Sequence, residues 1–231
     1  PDQLEEIGDP PIFLYYKGCM DILSQPCIAL VGKREMSPYG KRVTESLVPE
    51  LVRAGVITIS GLAIGIDAQV AKETMAASGK TVAVLGQGLA NIYPRSNTKL
   101  AEEIVKNGGL ILSEFPLDAV PDKYTFPARN RIVAGLALGT VVVEAGEGSG
   151  ALITADLALE YCREVFAVPG QVFDPNYIGC NKIISRGHAK LVTTANDILS
   201  ECGILAPADG EKSTYAPQDP VEQAIYKVLT T

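Results

Sequence analysis

Two arginines one residue apart, Arg129 and Arg131, head the apolar run of residues 132–138. A protein interior does not accept unpaired cations, so both need a counter-charge. They belong to a stretch, KYTFPARNRIVAGLALGTVVVEAGEGSGALITA over residues 123–155, that also carries an aromatic ring and a glycine-rich turn. Residues 140–145 (TVVVEA) are short, β-branched and nearly unbroken, the pattern of a strand covered on both faces in a parallel sheet. The turn Gly146-Glu-Gly-Ser-Gly150 leads directly into a helical pattern over residues 151–162, with Ser149 placed as its cap. A glycine-rich turn from strand to helix lets backbone N–H groups and a helix N-terminus converge on an anion, so the stretch predicts a phosphate-binding face. The structural alternative is that the glycines make a tight turn and the arginines pair with Glu144 or Glu147.

A second cationic loop stands at the end of the first strand-like run, residues 27–32 (CIALVG), in Gly32-Lys33-Arg34-Glu-Met-Ser37-Pro38. A dinucleotide fingerprint counted from Gly32 would need glycines where Arg34 and Ser37 stand, with Lys33 between, which disfavours a nicotinamide or flavin cofactor. Ser37 and Pro38 supply an N-cap and a first-turn proline for a helix to about residue 54. The turn Ser60-Gly-Leu-Ala-Ile-Gly-Ile-Asp67 places glycines at another strand-to-helix junction, where Asp67 would repel phosphate and is expected to order the loop; Glu114 is read the same way.

These turns need a frame. Further strands are expected over residues 56–61, 81–86, 110–114, 164–169 and 189–192, and helices over 65–78, 97–106, 181–186 and near 197–202. Strand and helix alternating at this rhythm predict an α/β fold with a doubly wound, mostly parallel sheet. Ligands of such sheets bind beyond the C-terminal strand ends, where Gly32, Gly61, Gly86 and Gly146 fall. Residues 1–26, broken by Asp9-Pro10-Pro11, read as a lead-in strand or flap packed on the core of residues 27–202. Residues 203–219 read as a linker, and 220–231 open an amphipathic helix, the start of a further module.

Composition narrows the classes. The chain has 231 residues and is 47% apolar, enough for one large domain and a small appendage. It contains no run of about 18 apolar residues that would cross a membrane. It starts at Pro1 with no signal-peptide pattern ahead of the fold, and reads as a segment of a longer chain. Five cysteines without a C-x-x-C pair fit reduced thiols in a cytoplasm, and one histidine, His188, cannot anchor a multi-histidine metal site. The net charge of −7 argues at first against nucleic acid, but the acids concentrate in residues 1–9 and 196–222. Screening confines each charge to about 10 Å, so a basic patch can coexist with an acidic total.

In order along residues 4–202, the segments IGDPPIFLYYKG, LVGKREMSPYG, SGLAIGID, YPRSN, KYTFPARNRIVAGL, EAGEGSGALITA, FAVPG and GCNKIISRGHAKLV resemble the DprA/Smf family of DNA-processing proteins. The resemblance implies a Rossmann-like core followed by a winged-helix module, binding to single-stranded DNA, loading of the RecA recombinase during natural transformation, and a homodimer. The family's DNA-contacting arginine falls on Arg34, its lysine on Lys123 and its base-contacting aromatic on Phe126. Arg129, Asn130 and the turn residues Gly148, Ser149, Gly150 and Thr154 follow as phosphate contacts or as buttresses of the pocket, and Lys182 after them. Lys33 stands where the family usually has a small residue and adds a cation. Ile64 and Ala71 replace residues often basic or histidine, which changes the groove around the second turn.

The residue chemistry agrees with that implication, because an unpaired strand wants cations along its backbone and an aromatic face for a base. No catalytic residue, metal or cofactor is expected. An enzymatic alternative is a nucleotide N-glycosidase of the LOG, or lysine-decarboxylase-like, type. Such enzymes carry a Pro-Gly-Gly-x-Gly-Thr-x-x-Glu loop, and the corresponding residues 144–154 (EAGEGSGALIT) lack both the Pro-Gly-Gly and the helix glutamate. A third reading is a nucleotide sensor that binds a mononucleotide without turnover.

Overall fold

The computed structural model describes residues 1–205. The expected linker beyond residue 205 and the helix of residues 221–229 lie outside the described residues. Eight strands form one sheet: β1 (Tyr15–Gly18), β2 (Cys27–Gly32), β3 (Ile57–Ser60), β4 (Thr81–Leu85), β5 (Leu110–Ser113), β6 (Gly139–Glu144), β7 (Glu164–Ala167) and β8 (Lys190–Leu191). Their order across the sheet is β1-β5-β4-β3-β2-β6-β7-β8, and all pairs are parallel except β1 with β5.

From β2 the chain winds outward through β3, β4 and β5, then returns to the other side of β2 as β6 and winds outward again. The order of winding reverses between β2 and β6. At such a reversal the loops leaving the two adjacent strands turn to opposite faces and open a crevice between them. The loops concerned are those of residues 33–37 and 146–149, the two that the sequence marks as anion-directed.

The helices are α1 (Asp2–Glu5), α2 (Pro38–Arg53), α3 (Ile66–Ala76), α4 (Thr98–Lys106), α5 (Thr125–Leu136), α6 (Gly150–Glu160), α7 (Ile178–Ser185) and α8 (Ala195–Glu201). One face of the sheet packs under α2, α3, α4 and α8, through residues such as Leu47, Leu51, Val70, Ile104 and Ile198. The other packs under α1, α5, α6 and α7, through Leu4, Ile132, Val133, Ala155 and Ile183. With both faces covered, every residue of β2 up to Val31 and every residue of β6 is buried, which is why residues 27–31 and 141–143 read as apolar runs. Residues 1–26 contribute α1, a 3-10 turn and β1, the antiparallel edge strand.

Candidate nucleic-acid interface

The cleft at the reversal point is open and holds about 700 Å³, between the loops that follow β2, β3 and β6 and the start of α5. Its floor is built from α5. Asp122 Oδ1 accepts from the N–H groups of Tyr124 (2.6 Å) and Thr125 (3.0 Å), and so starts that helix four residues ahead of Arg129. Arg129 then shares the inward face with Ile132, Val133 and Leu136 and is 6% exposed. Its guanidinium donates to the carbonyls of Gly61 (2.8 Å) and Val84, and its Nε to Asn130 Oδ1 (3.1 Å). Gly61 has to be glycine here, because a Cβ would lie 2.4 Å from the Arg129 guanidinium nitrogens.

Asp67, 7% exposed, accepts from the N–H groups of Gly61 (3.0 Å) and Ala63 (3.4 Å) and fixes the turn after β3. Burial pushes its carboxyl pKa up, against the pull of the Arg129 charge and the two N–H groups; burial pulls the Arg129 guanidinium down. Arg131 finds its counter-charges in Asp9 (2.9 Å) and Glu114 (2.6 Å), not in Glu144 or Glu147.

Above this floor the cationic loop and the ring meet. The Arg34 guanidinium carbon lies over the Phe126 ring, 5.2 Å from its centroid. Phe126 is half-buried, resting on Gly86, where a Cβ would come within 2.9 Å of the ring. Lys33 donates from Nζ to Asn176 Oδ1 (2.5 Å), and its carbonyl accepts from Ile66 N–H (3.1 Å). That second bond clamps the loop to the neighbouring turn, where Gly65 (φ +82°) passes so close that a Cβ would lie 2.2 Å from the Lys33 carbonyl oxygen.

The glycine-rich turn forms the opposite wall. Gly148 has φ +71°, and nothing lies within 4 Å of a Cβ built on it or on Gly150, so the backbone is open to a ligand. Ser149 caps α6 by accepting from Ala151 N–H (3.4 Å), and Thr154 lies buried one turn further on. Glu147 on this turn pairs with Lys182 (3.2 Å), and the two line a smaller depression behind the cleft. Lys123 is exposed and does not line the cleft, with Nζ 4.9 Å from the centroid of the exposed Tyr124 ring.

Three side chains take places that the sequence alone does not assign to them. Glu144 is fully buried at the end of β6, and its Oε2 accepts from Ser37 N–H (3.1 Å), Ser37 Oγ (2.9 Å) and Tyr177 OH (3.4 Å), which ties the start of α2 to the reversal point. Tyr124 presents a ring beside Lys123, and Tyr93 presents one beside Phe126. The aromatic-next-to-cation pattern in KY and YPR is the sequence signal for both rings. Among the described residues no His/Cys/Asp/Glu group is placed to hold a metal, and no helix is long and apolar enough to cross a membrane.

A doubly wound Rossmann-like sheet with cations, a ring and a glycine turn gathered at its reversal point puts the chain in the class of α/β proteins whose candidate site lies at the strand ends. Comparison with known proteins narrows the class. The profile of the family described as DNA recombination-mediator protein A matches residues 1–203, and the chain belongs to that family, whose members carry the names DprA and Smf. It is 46% identical to the DNA processing protein DprA of Bacillus subtilis over 87% of this chain and 67% of that protein. To Protein Smf of Escherichia coli it is 42% identical over 94% of this chain and 59% of the relative.

Among solved structures, the Streptococcus pneumoniae DprA superposes with a TM-score of 0.82 at 43% identity, covering 87% of this chain and 70% of that one. A Helicobacter pylori DprA structure, described by its single-stranded DNA binding mode, superposes at 0.80 with 33% identity, covering 87% and 91%. A molybdenum cofactor binding protein from Rippkaea orientalis shares the fold alone, at a TM-score of 0.53 and 14% identity over 78% of this chain and 96% of that one.

Proposed function

We propose that the cleft binds single-stranded DNA and that this chain acts as a non-enzymatic mediator in the cytoplasm, working as a homodimer that delivers the strand to the RecA recombinase. The observation that carries the reading is the Arg34 guanidinium packed on Phe126 at the sheet's reversal point, in a cleft that Gly148, Ser149 and Gly150 also line. A guanidinium and a ring in one contact can hold a phosphate and a base of the same nucleotide, the combination single strands select. Lys33, Lys123 and the Gly148–Ser149–Gly150 turn extend the phosphate track, with Asn130 beside it. Arg129 and Thr154 work from below as buttresses, and Lys182 through Glu147. The binding mode named for the H. pylori structure supports the same ligand.

Fluorescence anisotropy with an oligothymidylate tests the proposal. Binding should weaken steeply with salt, each neutralised phosphate contributing about −0.7 to the log–log slope. Arg34→Ala and Lys123→Ala should each make the slope shallower by about that amount. Phe126→Ala should lower affinity with the slope unchanged, by at most the roughly 5- to 150-fold (about 1–3 kcal/mol) of a full stack and by less where the base must first displace Arg34 from the ring. Equal affinity for duplex DNA, or release of a free base from AMP, would refute the proposal. Light scattering at tens of micromolar checks the homodimer, and co-sedimentation with RecA filaments checks delivery.

A further inference from the structure

The β1 side of the sheet carries a second open compartment, a groove of about 880 Å³ between α4, β1, β5 and the loops that leave β4 and β5. The reading above does not use it. Ile92 and Val105 give it apolar walls, and Lys17, Arg95 and Lys106 bring three cations against the two acids Glu102 and Asp118. Lys17 is held in place by donating from Nζ to the carbonyl of Leu89 (3.1 Å), whereas Arg95 and Lys106 are exposed and make no ion pair among the described residues.

Tyr93 joins this groove to the cleft. Its ring lines the groove, is 47% exposed, and lies 6.1 Å between centroids from Phe126 with the planes at 44°. A base sandwiched between two rings needs parallel planes about 7 Å apart, twice the carbon contact distance, so none fits between these two. Each ring offers its outer side instead. The Phe126 ring already carries the Arg34 guanidinium, whereas Tyr93 is exposed. The loop behind Tyr93 is tied down by Gly88 N–H and Ala90 N–H, which donate to Ala119 and Leu117 carbonyls (2.9 Å each), and by Gln87 Nε2, which donates to the Tyr93 carbonyl (3.3 Å).

We propose that Tyr93 is a second stacking platform and that the groove behind it is a second subsite for the same unpaired strand. One base lies on the Tyr93 ring, and the following phosphates run to Arg95 and Lys106. This rests on the single-strand reading above and gives the strand a direction of exit, across β4 and β5 and away from β7.

The test uses the protein with oligothymidylates of about 4 and about 16 nucleotides, the range of site sizes usual for single-strand grooves. The short oligomer fills the first cleft, and the long one reaches both. Tyr93→Ala should weaken the long oligomer roughly 5- to 150-fold and the short one less than about 2-fold, the range expected from one lost stack. Tyr93→Phe should restore wild-type affinity. Arg95→Ala should make the salt slope shallower by about 0.7 for the long oligomer and leave the short one unchanged. Matched melting curves exclude misfolding, and Arg95, being exposed, supplies a variant that does not disturb packing.

Equal weakening of both lengths by Tyr93→Ala would mean that the ring acts by holding Phe126, and would overturn the subsite; so would no effect on either. Failure of the wild type to bind both lengths is a different result, one that removes the single-strand reading itself.

Discussion

Replacing Arg129 by Met separates a buttress from a phosphate ligand, because the structure assigns its donors before any ligand arrives. The change keeps an unbranched side chain of similar length but leaves the Gly61 and Val84 carbonyls without their donor and the buried Asp67 carboxylate without its nearest positive charge. An orphaned buried polar group costs about 1–3 kcal/mol, and two carbonyls lose their donor here. Asp67 and Arg129 form no ion pair, so the lost charge adds less than a broken salt bridge would. These losses fall on one cluster and overlap, so a destabilisation of about 3–5 kcal/mol is expected, survivable against a typical 5–15 kcal/mol at 25 °C.

Urea unfolding followed by circular dichroism should show a lower midpoint at unchanged slope. Asp67→Asn keeps an acceptor for the Gly61 and Ala63 N–H groups and removes the stranded charge. In the Arg129→Met background it should therefore recover about 0.5–3 kcal/mol. The reasoning fails if Arg129→Met is as stable as wild type to within about 0.5 kcal/mol while its DNA affinity falls with a salt slope shallower by about 0.7. That pair of results belongs to a side chain bonded to phosphate, not to carbonyls.

Gly65→Ala should lower the melting temperature by several degrees and weaken DNA binding together, because φ +82° and a Cβ 2.2 Å from the Lys33 carbonyl force the cationic loop to move. Asp197 closes a capping box on α8, and hydrogen bonds from Thr193 and Thr194 hold its carboxyl below the usual carboxylate range. Its folded pKa is thus below the unfolded value of about 3.9, so its stabilisation is complete above about pH 4 and is lost as pH falls through the folded value. Asp197→Ala should cost about 1 kcal/mol at neutral pH, and acid titration of the unfolding free energy should show that difference vanish. At pH 8 a thiol reagent should label Cys162, the exposed cysteine, first, and Cys162→Ser should remove the fast phase. Burial pushes the Cys27 and Cys180 thiols up to about 12, and they should react only on unfolding.

What could be read from sequence was what local chemistry decides. The bounds of β2 and the Ser37 and Ser149 caps are as expected, because apolar runs and capping hydroxyls act within a turn of the chain. The alternation of strand and helix carried the doubly wound sheet, and with it the edge where the turns gather. The orientation of Arg129 was harder. Read as the head of an apolar run, it stood with Arg131; in fact α5 starts at Thr125, and positions 129, 132, 133 and 136 fall on one buried face. That i, i+3, i+4, i+7 spacing was the available signal, overridden by the charge. The partners of Arg131 could not be found locally, because Asp9 and Glu114 are brought to it by the packing of separate elements. Tyr93 opens the YPRSN segment, but its place beside Phe126 is not legible there for the same reason: another loop delivers that ring.

The contact between Arg34 and Phe126 has a consequence for how the cleft reads a strand. A cation over a ring is worth about 0.5–2 kcal/mol, and a base stacked on that ring about 1–3 kcal/mol. A base that takes the Phe126 face must displace the guanidinium, so the net gain at the ring is small unless Arg34 finds a phosphate as it leaves. Both moieties are then needed at once, and a free base or a bare phosphate should bind poorly compared with a nucleotide in a chain. Arg34→Ala loses the phosphate contact but uncovers the ring, two effects of opposite sign. Its affinity should fall well below wild type in low salt, where the phosphate term dominates, and approach or exceed wild type towards 1 M salt, where that term is screened. An anisotropy titration across that range decides the matter: parallel lines for Arg34→Ala and wild type would mean that the guanidinium never leaves the ring for a phosphate.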